Sequence, residues 1–583
     1  MLLTRKVACS TAAAIGLIAT MNFTMAGTAG AASPKTGGPA NVRVSVDARS
    51  SYVSADVMGG TGTYTDTTLQ RCGVDRRTQN EPTVAIDPRN PAVQTSGSND
   101  YCTVPTNGDA WAGFYRSTTG GSRWTDSLLP GYLLDNSTQG TSSPVHQMAL
   151  GGATAAGDPV QAWDSSGEVF YMGNNFNRGT QNGQSVDFRD NTGDVWVATY
   201  APSDPSNTLT DGSRYVRTVI LTQNTFGQGS FNDKTAIGVD PANGYVFAAW
   251  SEFHGSGCNE IDVARSTDHG ATFSTPTKVS GGLCSNQGPN FAFGPSGQVY
   301  LAWAANNGGS FSQNATSNGA AFISSLDNGQ TYSPANIVVD FAPFTSDQFS
   351  GNGARECGDA PFDCPTGFTF PRFDLAYPTI TTNGNDILMA FQASVGGQGQ
   401  IQLTQSSNGG ASWTTPTAID PQANGHQFMP WITASGGTVT AIYYDSRADS
   451  NFAANRAPCN SASGATTACL AVWSSTSTDG GATWTHSVVT NALTNPNLEQ
   501  FGGRRVPFFG DYIEVASAGS TIEAVWTDQR NARTANESSG SDNDGADVAG
   551  DPEAGGTCTS SLDTCFDGTG GLDQNIYGAS LGS

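Results

Sequence analysis

Residues 265–273 read RSTDHGATF, and four relatives share the spelling: RSTTGGSRW from Arg116, SSLDNGQTY from Ser324, QSSNGGASW from Gln405 and TSTDGGATW from Thr476. In such a turn the Asp side chain can accept backbone N–H groups of its own loop. The Gly takes a conformation that a Cβ would forbid, and the aromatic is placed to pack beneath. A motif that recurs is first a statement about architecture. These aspartates are therefore expected to staple a fold, not to do chemistry.

Between the loops runs a second repeat, an apolar half-strand, a Gly/Asn/Asp/Ser/Pro turn and a returning strand that usually ends in an aromatic. It is clearest in NDKTAIGVDPANGYVFAAWSEF from Asn232, and further copies begin at Asn80, Gly157, Asn286, Ala376, Phe428 and Gly510. Each reads as a hairpin, because two β-rich runs flank a turn that tolerates positive φ. In five copies a third strand, the Ser-x-Asp-x-Gly-x-Thr-aromatic turn and a fourth segment follow. Four antiparallel strands recurring down a chain describe an all-β fold, a β-propeller of four-stranded blades. The hairpins count seven blades, with six as the alternative should one hairpin be over-read. Residues 75–583 are assigned to the propeller and 33–74 to an N-terminal segment. Within that segment NVRVSVDARSSYVSADVM, 41–58, offers an outer strand that closes the ring with the C-terminal QNIYGASL.

Composition fits this reading. The chain has 583 residues, 71 of them glycine, and lacks long runs of Leu, Ala, Glu and Lys, which argues against helices. Arg5 and Lys6, a mostly apolar stretch and the small-residue run AGTAGAAS make residues 1–32 a secretory signal, so the mature protein is expected outside the cell. Setting Cys9 aside, ten cysteines fall into neighbouring couples: Cys72 and Cys102, Cys258 and Cys284, Cys357 and Cys364, Cys459 and Cys469, Cys558 and Cys565. An even count in a secreted chain favours disulfides over metal ligation, since no spacing is Cys-x-x-Cys. A net charge of −24 makes nucleic acid and anionic membranes poor partners. A monomer is expected.

In a propeller the innermost strand starts at one face and the second strand returns to it, whereas the turn between strands three and four lies on the opposite face. The functional face is therefore sorted by sequence position. It holds Asn80, Glu81, Asp158, Asp233, Lys234, Arg372, Asp374, Tyr377, His426, Arg504, Arg505, Asp511 and Tyr512 before the first strands. After the second strands come Asp100, Tyr101, Glu252, His254, Asp445, Arg447, Asp528 and Arg530. Glu252, Asp445 and Asp528 are equivalent by alignment, as are Arg447 and Arg530. A ring of acids and arginines suits a hydroxyl-rich ligand; the rival reading is a repeated salt-bridging turn between blades. GASLG at 578–582 has the spelling of a nucleophile elbow without the helix that must follow it. The acidic run 541–553 offers Asp542, Asp544 and Asp547 as hard oxygen ligands for a structural calcium, although a solvated acidic loop is the commoner meaning. No other cofactor is called for.

The repeated turn, at Ser266, Ser325 and Ser477 with weaker forms at Ser117 and Ser406, resembles the Asp-box, or BNR repeat, of the sialidase (neuraminidase) superfamily. The resemblance spans roughly residues 75–530. It implies a sialidase-like exo-glycosidase acting on extracellular carbohydrate, with three arginines on the sugar carboxylate, a Tyr nucleophile activated by a Glu, and an Asp acid/base. The Arg-Ile-Pro motif of that family has its nearest counterpart, RVPF, at Arg505, far from the first blade, so roles are taken from face geometry. They are Arg372, Arg447 and Arg530 with Asp445 and Asp528 for sugar binding, Tyr512 as nucleophile with Glu252 as base, and Asp233 as acid/base. The alternatives are a non-catalytic glycan- or protein-binding propeller, and a polysaccharide lyase with His254 or His426 as base.

Overall fold

The computed structural model describes residues 36–47, 52–74, 78–107, 109–176, 180–181, 184–185, 193–202, 212–223, 230–254, 258–306, 318–342, 377–461, 464–495, 510–531 and 573–582. Seven four-stranded sheets are present, and they are the seven blades that the hairpin count predicts. The first strands of blades 1 to 7 are Gln79–Ile86, Ala155–Trp163, Phe231–Val239, Cys284–Phe293, Thr379–Asn383, Gln427–Ser435 and Glu514–Ala518. The strands within a blade pair antiparallel in sequence order, with one exception. Blade 7 takes its third strand, Asn575–Ser580, from the C-terminal part of the chain and its fourth, Val42–Arg43, from near the other end.

That exception closes the ring. Val42 pairs with Gly578 and Arg43 with Tyr577, and the Val44 N–H donates to the Ile576 carbonyl at 2.8 Å. The strand is shorter than 41–58, because Ala55–Met58 is instead a helical turn whose N-cap, Ser54, accepts from the Val57 N–H. The few other α-helices among the described residues are Thr67–Cys72, Val104–Asn107, Thr138–Ser142 and Pro144–Leu150. Among the described residues no helix is long and apolar enough to cross a membrane.

The apolar core lies between blades. One cluster joins Ala249, Ile261 and Val263 of blade 3 to Leu301, Trp303 and Ile323 of blade 4. Equivalent clusters join blades 2 and 3, 4 and 5, 5 and 6, and 6 and 7, and the largest links blade 7 through blade 1 to blade 2. A face that one four-stranded sheet cannot bury alone is thus buried by its neighbour all the way round. Each fully buried aliphatic or aromatic side chain contributes about 1.5–3 kcal/mol.

The repeated turn does what its spelling predicts. In blade 3 the Ser266 hydroxyl accepts from the Gly270 N–H at 2.9 Å and donates to Asp268 Oδ1 at 2.8 Å. The Thr272 N–H and hydroxyl donate to the two Asp268 oxygens at 2.9 and 2.7 Å. The pattern repeats at Asp327 with Thr331 and at Asp479 with Thr483. Donation from the Thr272 hydroxyl and N–H holds the Asp268 carboxyl down at about 2. The register places the turn: Val246 faces both Val239 and Ser266, whereas Asp233 faces Ser251 at the other end of the same strand. The turns therefore sit on the face opposite the starts of the first strands.

Three of the expected disulfides are formed, Cys72 to Cys102, Cys258 to Cys284 and Cys459 to Cys469, cross-links that fit an extracellular protein. The couples Cys357 with Cys364 and Cys558 with Cys565 lie outside the described residues, as do the signal segment 1–32, Arg372 and the calcium candidates Asp542, Asp544 and Asp547.

Candidate functional site

Five of the seven first strands carry the same irregularity. Asn80 pairs with Asn99 but Thr83 with Gly97, so blade 1 has one residue more on the inner strand than on its partner. The same step recurs between Gly157 and Val160, Asp233 and Ala236, Gln287 and Asn290, and Phe428 and Trp431. The residue that opens each bulge has a positive φ: Glu81 (55°), Asp158 (51°), Lys234 (52°), Gly288 (64°) and Met429 (51°). Proline follows in four of the five, at Pro82, Pro159, Pro289 and Pro430, where its missing N–H costs no ladder bond. Left-handed backbone at Glu, Asp and Lys is strained, and bulges re-aim side chains. Here they gather ionisable groups from several blades at one place.

Lys234 is the hub. Its Nζ lies 2.7 Å from Asp511 Oδ2, 3.4 Å from Asp158 Oδ2 and 3.4 Å from Asp233 Oδ2. The Lys234 N–H also donates to Asp158 Oδ2 at 2.9 Å. Asp158 in turn is hydrogen-bonded to both Glu81 and Asp233. Asn99 locks the blade 1 side, its Nδ2 donating to Glu81 Oε2 at 2.7 Å while its Oδ1 accepts the Asp158 N–H at 2.9 Å. Blade 7 comes close because residue 510 is glycine: at φ 87°, a Cβ there would stand 2.7 Å from the Glu81 N and Cγ atoms. The cluster opens into a pocket walled by Tyr377, Trp431 and Tyr512, with the Trp431 and Tyr512 rings 6.3 Å apart.

Charge sorts these carboxyls into two kinds. Burial first, then the charges of Asp158 and Asp511, push Glu81 well above the ordinary carboxylate range; burial and Asp158 do the same to Asp233. Asp158 is held low despite its burial, because Lys234 and the hydrogen bonds from Asp233 and Glu81 favour its ionised form. Proton-bearing and ionised carboxyls thus stand in contact, the arrangement that general acid/base chemistry uses. Asp511 Oδ1 is buried and has no protein partner among the described residues. Tyr512 donates to the Pro159 carbonyl at 3.2 Å, and its phenol is pushed well above its usual pKa by burial and by Glu81 and Asp158.

Of the sequence-derived site residues, Tyr512 lines this pocket, and Asp233 joins it through Lys234, whose Nζ lies 3.4 Å from Asp233 Oδ2. It does not bring Glu252 to Tyr512. Glu252 is grouped with Asp262, to which it is hydrogen-bonded, and with His254, whose Nδ1 is 3.9 Å away. Glu252 therefore lies on a different carboxyl cluster of blade 3 from Asp233, although Asn232 pairs with it. Arg447 and Arg530 take the salt-bridging form that was the rival reading. Arg447 Nε and Nη2 donate to Asp445 at 3.0 and 2.7 Å, its guanidinium stacks 3.5 Å from the Trp473 ring, and Nη2 also reaches Asp420 of the preceding blade connection. Arg530 forks onto Asp528 at 2.9 and 2.7 Å, bonds Asn41 and Asn491 beside the closing strand, and stacks on Tyr577. Asp445 and Asp528 are buried beneath them, 1% and 0% exposed. The physical reason is proximity: in Asp-x-Arg at a strand end the guanidinium folds back on the carboxylate two residues earlier. His426 is buried with its pKa lowered to about 4 by desolvation, and neither it nor His254 lines the mouth.

Glu81, Asp158, Lys234 and Asp511 stood among the face residues in the sequence but were given no role. The recurrent X-Pro at the head of the inner strand, in NEPT, GDPV, QGPN, AYPT and FMPW, is the signal that marks Glu81 and Asp158, whereas Lys234 in NDKT and Asp511 in GDYI carry no such signal.

No protein-family profile matches the chain, and no curated protein does. Among solved structures, a Hadza microbial sialidase is similar at 12% identity over 72% of this chain and 71% of that one, with a TM-score of 0.37. The Trypanosoma rangeli sialidase is similar at 12% identity, over 85% of this chain and 71% of that one, with a TM-score of 0.40. A PL25 ulvan lyase, a polysaccharide lyase, is similar at 11% identity, over 77% and 92%, with a TM-score of 0.39. None of these likenesses is close enough to carry a residue or a substrate over to this chain.

Proposed function

We propose that the protein is a secreted exo-glycosidase of extracellular carbohydrate, with the central mouth as its catalytic centre and an uncharged sugar as its substrate. The observation that carries this is the contact between Asp233, whose carboxyl is pushed up, and Asp158, whose carboxyl is held low, both bridged by Lys234 to a pocket that Lys234, Asp511 and aromatic rings line. Asp233 is the general acid that protonates the leaving glycosidic oxygen. Asp158 holds Asp233 in place, and Lys234 holds Asp158 ionised. Asp511, with one oxygen on Lys234 and the other without a protein partner, is the carboxylate that accepts from the attacking water or a sugar hydroxyl. Trp431 and Tyr512 give the sugar ring an apolar wall. Tyr512 is assigned to the wall and not to nucleophilic attack, because burial among carboxylates opposes the phenolate that attack requires.

An uncharged sugar is preferred over a sialoside on charge grounds. Four carboxyls face one ammonium, no arginine is among the described residues that line the pocket, and Arg447 and Arg530 are committed to Asp445 and Asp528. Purified protein is to be assayed on chromogenic α-sialosides, arabinosides, uronides and neutral hexosides, with Asp233→Asn and Glu81→Gln beside the wild type. Turnover of a neutral glycoside that Asp233→Asn lowers by roughly 10²–10⁴-fold supports the reading. Turnover confined to sialosides would reverse the substrate assignment. Absence of turnover with glycan binding retained on an array would make the mouth a binding site.

A further inference from the structure

On the face opposite the mouth, the turn between the first two strands of blade 2 meets the repeated turn of blade 3. Asp164 Oδ2 lies 2.9 Å from His269 Nδ1, and Glu168 Oε2 lies 3.7 Å from the same nitrogen. One ligand atom from each residue falls within 4.8 Å of the others. A first-row divalent ion with bonds of about 2.0–2.2 Å holds adjacent ligand atoms roughly 3–3.5 Å apart, so the three stand close to the spacing of one face of a coordination sphere. Asp164 is held in one orientation by its own turn. Its Oδ1 accepts the N–H groups of Ser166, Gly167 and Glu168 at 2.9, 2.8 and 2.9 Å, and the Ser166 hydroxyl donates to Oδ2 at 2.6 Å. Arg217 donates to the His269 and Gly270 carbonyls and so fixes the loop that presents the imidazole.

The bland alternative is a hydrogen bond that merely joins two blades. The next seam shows what such a joint needs: there Asp240 replaces Asp164, Asn328 replaces His269, and Asn243 Nδ2 donates to Asn328 Oδ1 at 3.1 Å, an amide contact without charge. His269 occupies a left-handed position, φ 57°, that Asn328 (58°), Gly409 (70°) and Gly480 (73°) fill in other blades. An imidazole in place of Asn or Gly, set between two carboxylates and 56% exposed to solvent, is the ligand set that imidazole-preferring divalent metals select, with open positions left for water.

We propose that Asp164, Glu168 and His269 form a zinc-class divalent metal site that clamps the seam of blades 2 and 3. It is independent of the chemistry at the mouth. Tag-free protein, treated with chelator and desalted, is to be titrated with Zn²⁺ by calorimetry beside His269→Asn, which installs the residue that the blade 4 turn already tolerates. Glu168→Gln serves as a second variant. The expected result is one Zn²⁺ per chain on the wild type, affinity weakened roughly tenfold or more in each variant, and a zinc-dependent rise in Tm seen for the wild type alone. Zinc binding of equal stoichiometry and affinity in His269→Asn, or no binding by the folded wild type, overturns the proposal.

Discussion

Glu514 and Glu523 are single residues whose protonation the fold controls. Both are buried, and desolvation raises each carboxyl to about 8; Glu514 Oε2 accepts the Val84 N–H at 3.1 Å, tying blade 7 to blade 1. A carboxyl with a raised folded-state pKa binds its proton more tightly folded than unfolded. Its contribution is fully present below the unfolded value of about 4.3 and is lost as pH rises toward 8. Denaturant unfolding from pH 4.5 to 8.5 should therefore show stability falling with pH, and Glu514→Gln with Glu523→Gln should flatten the slope. The repeated turns act in the opposite sense, since Asp268 and Asp479 are held at about 2 and their contribution is lost as pH falls from about 4 toward 2. In the proposed chemistry, Asp233 must carry its proton to act as an acid. The activity of the wild type should therefore decline as pH rises through its raised pKa, a limb that a pH–rate profile of Asp233→Asn should lack.

At the scale of elements, the repeated turn and the inner-strand bulge were unequally legible. The turn is nine consecutive residues whose bonds stay within the loop, so its spelling in 265–273 was enough to predict the Asp268 hydrogen bonds and the conformation of Gly270. The bulge is a property of register between two strands. Nothing within NEPTV says that Asn80 and Thr83 span one residue more than Asn99 and Gly97, so Glu81, Asp158 and Lys234 could be put on the right face but not brought together. Glu252 was likewise put on the right face, but its pairing is with Asn232 and its side chain joins Asp262 and His254, a partnership across strands that the sequence does not spell. Gly270 also links blades, since a Cβ at its φ of 68° would lie 2.8 Å from Phe170 Cε1 of blade 2. Gly270→Ala should cost about 1–2 kcal/mol from backbone strain alone, more with the clash, measured as a lowered denaturation midpoint with kcat unchanged.

The molecule as a whole is closed by two short strands from distant parts of the sequence. Because Val42–Arg43 completes blade 7 and Val44 adds a further bond to Ile576, deleting residues 36–47 should expose the Asn575–Ser580 edge. Chain association on gel filtration and a lower Tm are the expected readouts. The closing strand was legible because apolar alternation at the two ends of a repeat array leaves one blade incomplete. The gathering of Glu81, Asp158, Asp233 and Asp511 around Lys234 was not, because it depends on the inner strands of different blades converging. That convergence is the central claim, and Asp233 and Glu252 test it most directly, being neighbours across one strand pair with only Asp233 in the Lys234 cluster. Steady-state kinetics of Asp233→Asn and Glu252→Gln on the best glycoside should show kcat reduced roughly 10²–10⁴-fold in the first and within about twofold of wild type in the second. Loss of kcat in Glu252→Gln with Asp233→Asn active would contradict the account and move the chemistry out of the central mouth.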